Sequence, residues 1–426
     1  MRKLFFLFSI SALTFIATAH SEKTVAGNDK AILPGVFQTA EYLPLLKGKR
    51  VGIFANQTST LGNIHLVDSL QKLGISITKI FAPEHGFRGT ANAGEKIKTY
   101  TDKKTGITVV SLYGAKLKPA AADLADVDIL LFDIQDVGVR FYTFISSLQY
   151  FIESAIENNL PLVILDRPNP NGFYVDGPVL DSSYKSFVGI QPVPVVYGMT
   201  IGEYAKMVLG EEWLPWKTQR KADGKISLGE VLGFEEEHDN FKLTVIKCKN
   251  YTHKSRYILP VKPSPNLAEM NSIYWYSSTC FFEGTVLSEG RGTNHPFQIF
   301  GHPDLPDSLF SFTPVSNEGA KEPKWKDKIC YGWNLAELQE TAPSRIQLKW
   351  LINAYKLFPD KDNFFIKPKK FNPEPQDYFF NKLAGNNELM QLILAGKTEE
   401  EICKSWQPKL DAFKKIRKKY LLYTDF

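Results

Sequence analysis

Between Lys49 and Asp166 the chain alternates short, almost wholly apolar runs with stretches of helical period. "RVGIFAN" predicts a strand ending at Asn56, and "IHLVDSLQKLG" an amphipathic helix ending on Gly74. "ITKIFAPE" predicts a strand ending at Glu84, "ITVVSLYG" one ending near Tyr113, and "DVDILLFDIQD" one ending around Asp133. "FISSLQYFIESAIENN" is a helical pattern closed by two asparagines, and "LPLVILDRP" a strand ending at Asp166. Runs without polar alternation fit parallel strands buried on both faces. Strands alternating with helices imply βαβ units, so the expected class is α/β, a Rossmann-like open parallel sheet.

Further along, "MTIGEYAKMVLGEEWL" predicts a helix opened by a capping box of Thr200 and Glu203. "FKLTVIKCKNY" predicts one more strand. "PVKPSPNL", Pro260 to Leu267, is too rich in proline for regular structure. A boundary near residue 255 is expected to separate a Rossmann-like domain, 49–255, from a smaller mixed α+β domain, 256–426. The second part should contain a Gly- and Pro-rich loop from Ser277 to Pro306, followed by strand-like pieces. It should close on the helices "NNELMQLILAG" and "TEEEICKSWQPKLDAFKKIRKKYLLY", the latter capped by Thr398 and Glu401. The basic run "KKIRKK" reads as a solvated helix face.

Composition changes this picture little. The chain has 426 residues and a net charge of +5 from 51 basic and 46 acidic side chains. That excess is too small and too scattered for a nucleic-acid partner. At the start, Arg2 and Lys3 precede the apolar run "LFFLFSISALTFIA", and Ala17-Thr18-Ala19 makes an A-x-A site. This pattern predicts a signal peptide, 1–19, then a lead-in, 20–48. It implies export to the periplasm of a bacterium, with no stable membrane anchor. Cys248, Cys280, Cys330 and Cys403 lie far apart, so either disulfides or buried free thiols are expected. No metal-ligand spacing is present.

The chemistry gathers after the strands, where open parallel sheets bind ligands. Asn56 follows the first; Glu84, His85 and Arg88 the second; Tyr113 the third. Asp133, Gln135, Asp136 and Arg140 follow the fourth, and Asp166, Arg167 and Asn169 the fifth. Asp136 could equally cap a turn with Arg140 as its structural partner, and Asn169 could form an Asx turn. In "CFFEGTVLSEGRGTNHPF", Glu283 and Arg291 stand among glycines that allow tight turns. The sequence contains neither the G-x-G-x-x-G nor the G-x-S-x-G motif, which argues against a dinucleotide cofactor and a serine nucleophile.

Six stretches in order, "FAPEHGFRG", "DIQDVGVRFYT", "LDRPNP", "YGMTIGE", "PSPNL" and "FEGTVLSEGRGT", together resemble the NamZ family of exo-β-N-acetylmuramidases. The resemblance runs from about Val51 to the C-terminus. It implies two domains with a cleft between them and no nucleotide cofactor. It also implies hydrolysis of β-1,4-linked N-acetylmuramic acid from the non-reducing end of peptidoglycan-derived saccharides, in cell-wall turnover or recycling. Such chemistry needs an acid beside the leaving oxygen and a group that stabilises an oxocarbenium-like centre. Glu84, among Ala82, Pro83 and Phe87, suits the acid, with His85 to tune it. Asp136, Asp133, Glu283 or the substrate's own acetamido group suits the second role. Arg140 is the first choice to pair the lactyl carboxylate, before Arg167 and Arg291. Tyr113 or Tyr142 could stack on a sugar face. A periplasmic binding protein that captures muropeptides without cleaving them is the alternative.

Overall fold

A computed structural model describes residues 30–89, 98–214, 241–338 and 344–426, with the backbone of Gln219–Arg220 and Ile226–Ser227. The expected signal peptide and the first ten residues of the lead-in lie outside the described residues. Seven strands form the main sheet: β1 (Arg50–Ala55), β2 (Ser76–Ala82), β3 (Tyr100–Thr101), β4 (Thr108–Ser111), β5 (Ile129–Asp133), β6 (Leu162–Leu165) and β7 (Leu243–Ile246). Their order across the sheet is β7-β6-β5-β1-β2-β4-β3. Only β3 runs antiparallel to its neighbour. The six parallel strands were all legible as apolar runs, and they take the doubly wound order expected of a Rossmann-like sheet. β3 is two half-polar residues at an edge and carries no such signal.

Alternation along each strand sends side chains to two cores. Ile53, Ile80, Leu131 and Val163 face one side, against Leu66 and Leu70 of the helix Leu66–Lys72. Phe54, Phe81, Phe132 and Ile164 face the other, against Phe151 and Leu148 of the helix Phe144–Glu157. Phe151 sits in edge contact with Phe54 at 5.2 Å and Phe81 at 5.5 Å. This second core continues without a break into Ile273, Phe281, Phe300 and Phe380 of the later half. Residues 32–426 therefore make one compact unit.

The later half has a small antiparallel sheet, β8 (Ile299–His302), β9 (Phe310–Phe312) and β10 (Cys330–Asn334), ordered β8-β10-β9. Helices surround it, which matches the expected smaller α+β part. Residue 255 falls in the irregular stretch between β7 and the helix Met270–Thr279. The long loop expected from Ser277 is corrected: Ser277 to Thr279 complete that helix, and Ile299–His302 is strand. No glycine or proline interrupts 270–283, and the α-helix passes into a 3-10 turn, Cys280–Gly284, that ends at the first glycine.

Both capping boxes form. The Thr200 hydroxyl accepts from the Glu203 N–H, and Thr398 does the same for Glu401. The long C-terminal helix is two helices, Glu399–Ser405 and Gln407–Lys418, separated at Trp406 just before Pro408. Its basic run is mixed. Lys414, Lys415, Lys418 and Lys419 are exposed, whereas Arg417 is buried, donating to Gly198 O and pairing with Asp425. All four cysteines are free thiols, and Cys248, Cys280 and Cys330 are buried. Among the described residues no helix is long and apolar enough to cross a membrane.

Candidate active site

β2 ends at Ala82, and the chain then turns through His85 at φ +67° and Gly86 at φ +74°. A left-handed histidine is unusual, and it throws Glu84 and His85 onto the carboxyl edge of the sheet. Thr143, before the helix Phe144–Glu157, has φ +73°, and Phe297 has φ +63°. All three of these strained non-glycine residues line one pocket of about 290 Å³. Backbone held in such conformations concentrates at working sites, because only a well-packed surround maintains it.

Glu84, His85, Tyr113, Phe141, Tyr142, Glu283, Arg291 and Phe297 all line this pocket. Glu84 is half-buried, and Tyr113 hydrogen-bonds to it. Burial first, then the Glu84 charge and that hydrogen bond, push the Tyr113 hydroxyl well up, so it stays a donor. Tyr142 is raised likewise, by burial and by the fields of Asp136 and Glu84. Its hydroxyl approaches Ser264 without completing a hydrogen bond of good geometry. In the same pocket Arg291 Nη2 donates to Glu283 at 2.6 Å. Burial works against the Arg291 charge, but Glu283 and Glu289 outweigh it and raise the guanidinium's affinity for its proton. The glycines of this segment are required. Gly290 (φ +80°) lies so close to Ile299 O that a Cβ would sit 2.3 Å from it, and Gly292 (φ +81°) abuts Pro323.

Of the expected site residues, the structure brings together Glu84, His85, Tyr113, Tyr142, Glu283 and Arg291. The others do not line that pocket. Arg140 is wholly buried, its guanidinium donating to the carbonyls of Pro178, Val193, Leu383 and Ala384. It pairs with neither a ligand nor Asp136. Arg167 is clamped on Asp133 at 2.6 and 2.9 Å. Asn56 closes a turn onto Thr58, Gln135 donates to Asp136 O and Pro168 O, and Asn169 forms an Asx turn while donating to Met199 O. Asp166 accepts from Thr200, Gly202 and Tyr423. Arg88 pairs with Asp102 at 2.9 Å and lines a different pocket, with His65 and Lys104. The cause is common to most of them. Segment 168–202 and the C-terminal tail supply the partners, as in Gln135 with Pro168, Asn169 with Met199, and Asp166 with Thr200 and Tyr423.

Asp136 is also out of the pocket. It is buried, accepts from Gly138 N and Tyr197, and is pushed up to about 6, chiefly by desolvation. Asp166 is likewise raised to about 6 by burial. Both folded values lie above the unfolded one of 3.8, so the folded state holds more protons between those limits. Their contribution to stability is complete below about pH 4 and lost as pH rises through about 6. Asp136→Asn is expected to flatten the fall in Tm over that interval, read by thermal unfolding across pH. A slope equal to that of the unaltered chain would show that Asp136 does not titrate there.

Residues 51–271 match the family described as exo-β-N-acetylmuramidase NamZ, N-terminal, and residues 274–423 match its C-terminal counterpart. The chain belongs to the NamZ family. A curated relative, the peptidoglycan β-N-acetylmuramidase NamZ of Bacillus subtilis (strain 168), is 36% identical over 99% of this chain and the whole of the relative. The crystal structure of a DUF1343 family protein of Bacteroides fragilis NCTC 9343 is 42% identical, with a TM-score of 0.78, covering 93% of this chain and all of that one. A second protein of that family and organism is 26% identical, with a TM-score of 0.73, over 92% and 99% of the two chains.

One NamZ-like motif holds pocket residues that the strand-end argument missed. Ser264 and Asn266 stand in "PSPNL", which Gln57 holds by donating to Pro263 O at 2.9 Å. The motif's irregular backbone was legible, but its place in one pocket with Glu84 was not. Tyr276, Phe187 and Phe379 also line the pocket and were not among the expected site residues. Among the described residues no group of three His, Cys, Asp or Glu is arranged to hold a metal ion.

Proposed function

We propose that this chain is an exo-acting glycosidase that releases N-acetylmuramic acid from the non-reducing end of peptidoglycan-derived saccharides. The observation that carries the reading is that two glutamates, Glu84 and Glu283, line one small aromatic-lined pocket together with Arg291. Glu84 is the general acid at the leaving oxygen. Glu283 is the second carboxylate, facing the positive charge that develops at the sugar's anomeric carbon. A pocket of about 290 Å³ is of a size for one terminal sugar rather than a continuing strand. A protein that only captured muropeptides would have no use for two such carboxylates, and family membership weighs the same way.

Arg291 takes the role first expected of Arg140, because it is the arginine that lines the pocket. The chain should release chromophore from para-nitrophenyl β-N-acetylmuramide and not from its glucosamine counterpart, which lacks the lactyl carboxylate. Failure to hydrolyse the first would remove the proposed activity. Arg291→Ala is expected to reduce the preference for the first sugar by roughly 30-fold or more, the loss of a desolvated charge pair being about 2–5 kcal/mol. An unchanged ratio of kcat/KM would take Arg291 out of sugar recognition.

A further inference from the structure

Glu283 ends a line of four alternating charges that runs away from the pocket. Arg291 Nη2 donates to Glu283 at 2.6 Å, and Arg291 Nε lies 3.2 Å from Glu289 Oε1. Lys324 Nζ lies 3.1 Å from Glu289 Oε2. Glu289 is almost wholly buried, with 4% of its side chain exposed. Desolvation works against its charge, yet Lys324 and Arg291 together keep its carboxyl below the usual range. Neither Glu289 nor Lys324 lines the pocket.

Lys324 does more than neutralise Glu289. Its ammonium donates to the carbonyls of Phe282 at 3.0 Å, Glu283 at 3.2 Å, Thr285 at 2.9 Å and Leu287 at 3.1 Å. Three N–H groups are thus shared among four carbonyls, with the Glu289 carboxylate at ion-pair distance, all belonging to the segment that carries Glu283. The neighbouring Trp325 indole donates to Val286 O at 2.6 Å, and Pro323 packs against Gly292. Residues 323–325 therefore grip both limbs of the turn that presents Glu283 and Arg291.

We propose that Lys324, acting through Glu289, is a positioning residue for the pocket's second carboxylate. With Lys324 in place, Glu289 has two cations, and Arg291 is shared between Glu289 and Glu283. Without it, a buried carboxylate has Arg291 as its remaining cation. The guanidinium then moves toward Glu289, and Glu283 loses the bond that aims it. The inference rests on the reading of Glu283 as a catalytic group.

The test is steady-state hydrolysis of para-nitrophenyl β-N-acetylmuramide by the full chain and three variants: Lys324→Met, Glu289→Gln and the two combined. Lys324→Met should lower kcat by about 100-fold with KM within about threefold, the scale of a misplacement near 1 Å. Glu289→Gln alone leaves Lys324 unpaired and should lower kcat by about tenfold. The double variant leaves no buried charge unpaired, so its kcat should exceed that of Lys324→Met by about tenfold, a coupling that separate structural losses would not produce. Near-normal kcat in Lys324→Met, or a double variant no better than it, overturns the proposal. Should Lys324→Met not fold, Glu289→Gln decides alone: unchanged kcat overturns the proposal. Glu283→Gln separates the two readings, since full activity in that variant would sink the role of Glu283 itself.

Discussion

Glu84→Gln is expected to lower turnover by about 10²–10⁴-fold, the usual worth of a general acid, while the chain still folds. Glutamine keeps the shape of the side chain and its hydrogen bond with Tyr113, and removes only the transferable proton. Glu84 stands half-buried at the turn after β2. The size of the loss should depend on the leaving group. Para-nitrophenolate departs readily without a proton, whereas a sugar alkoxide does not. A disaccharide ending in N-acetylmuramic acid should therefore lose more turnover than the para-nitrophenyl sugar. Measuring kcat on both, for the variant and the unaltered chain, checks the role. Near-normal disaccharide turnover would make Glu84 a structural residue.

The other large effect is on stability. Arg140→Met should destabilise the fold by about 3–5 kcal/mol and leave the choice between the two sugars unchanged. Arg140 Nη1 donates to Pro178 O and Val193 O, and Nη2 to Leu383 O and Ala384 O. Each buried carbonyl left without a donor costs about 1–3 kcal/mol. Part of that is offset, because burial already lowers the arginine's pKa to about 9, and methionine removes a desolvated charge. The four lost donors outweigh this relief. Gly189 and Gly385 pack directly on the side chain, so a smaller residue would leave a void between the early and late halves. Denaturant midpoints, together with kcat/KM on both para-nitrophenyl sugars, distinguish the roles. Unchanged stability with an altered preference would return Arg140 to the site.

The difference between Arg140 and Arg291 shows how far strand-end reasoning reaches. Both arginines stand beside glycines and carboxylates in motifs resembling one family, and both suit a carboxylate ligand. Local sequence carries no record of which residues from positions 178, 193, 383 and 384 will close over one of them. Asp133 and Arg167 illustrate the same point. They were read as ligands because they end adjacent strands, and that adjacency is what lets them pair with each other at 2.6 Å.

The amino-acid sequence by itself determined the sheet, the caps and the family. Six apolar runs specify buried parallel strands because a strand covered on both faces tolerates no polar alternation. The Thr200–Glu203 and Thr398–Glu401 boxes specify helix starts because their hydrogen bonds are local, spanning three residues. It also placed Glu84 and His85 at a strand end, since "FAPEHG" must turn after an apolar run. Only the tertiary structure decided which polar strand ends face the pocket and which face one another. Only the tertiary structure brought Glu283 and Arg291 from about 200 residues away into one pocket with Glu84. Burial and long-range hydrogen bonding depend on which segments meet, and here chain from 168–202 and the C-terminal tail supplies the partners of Asn169 and Asp166.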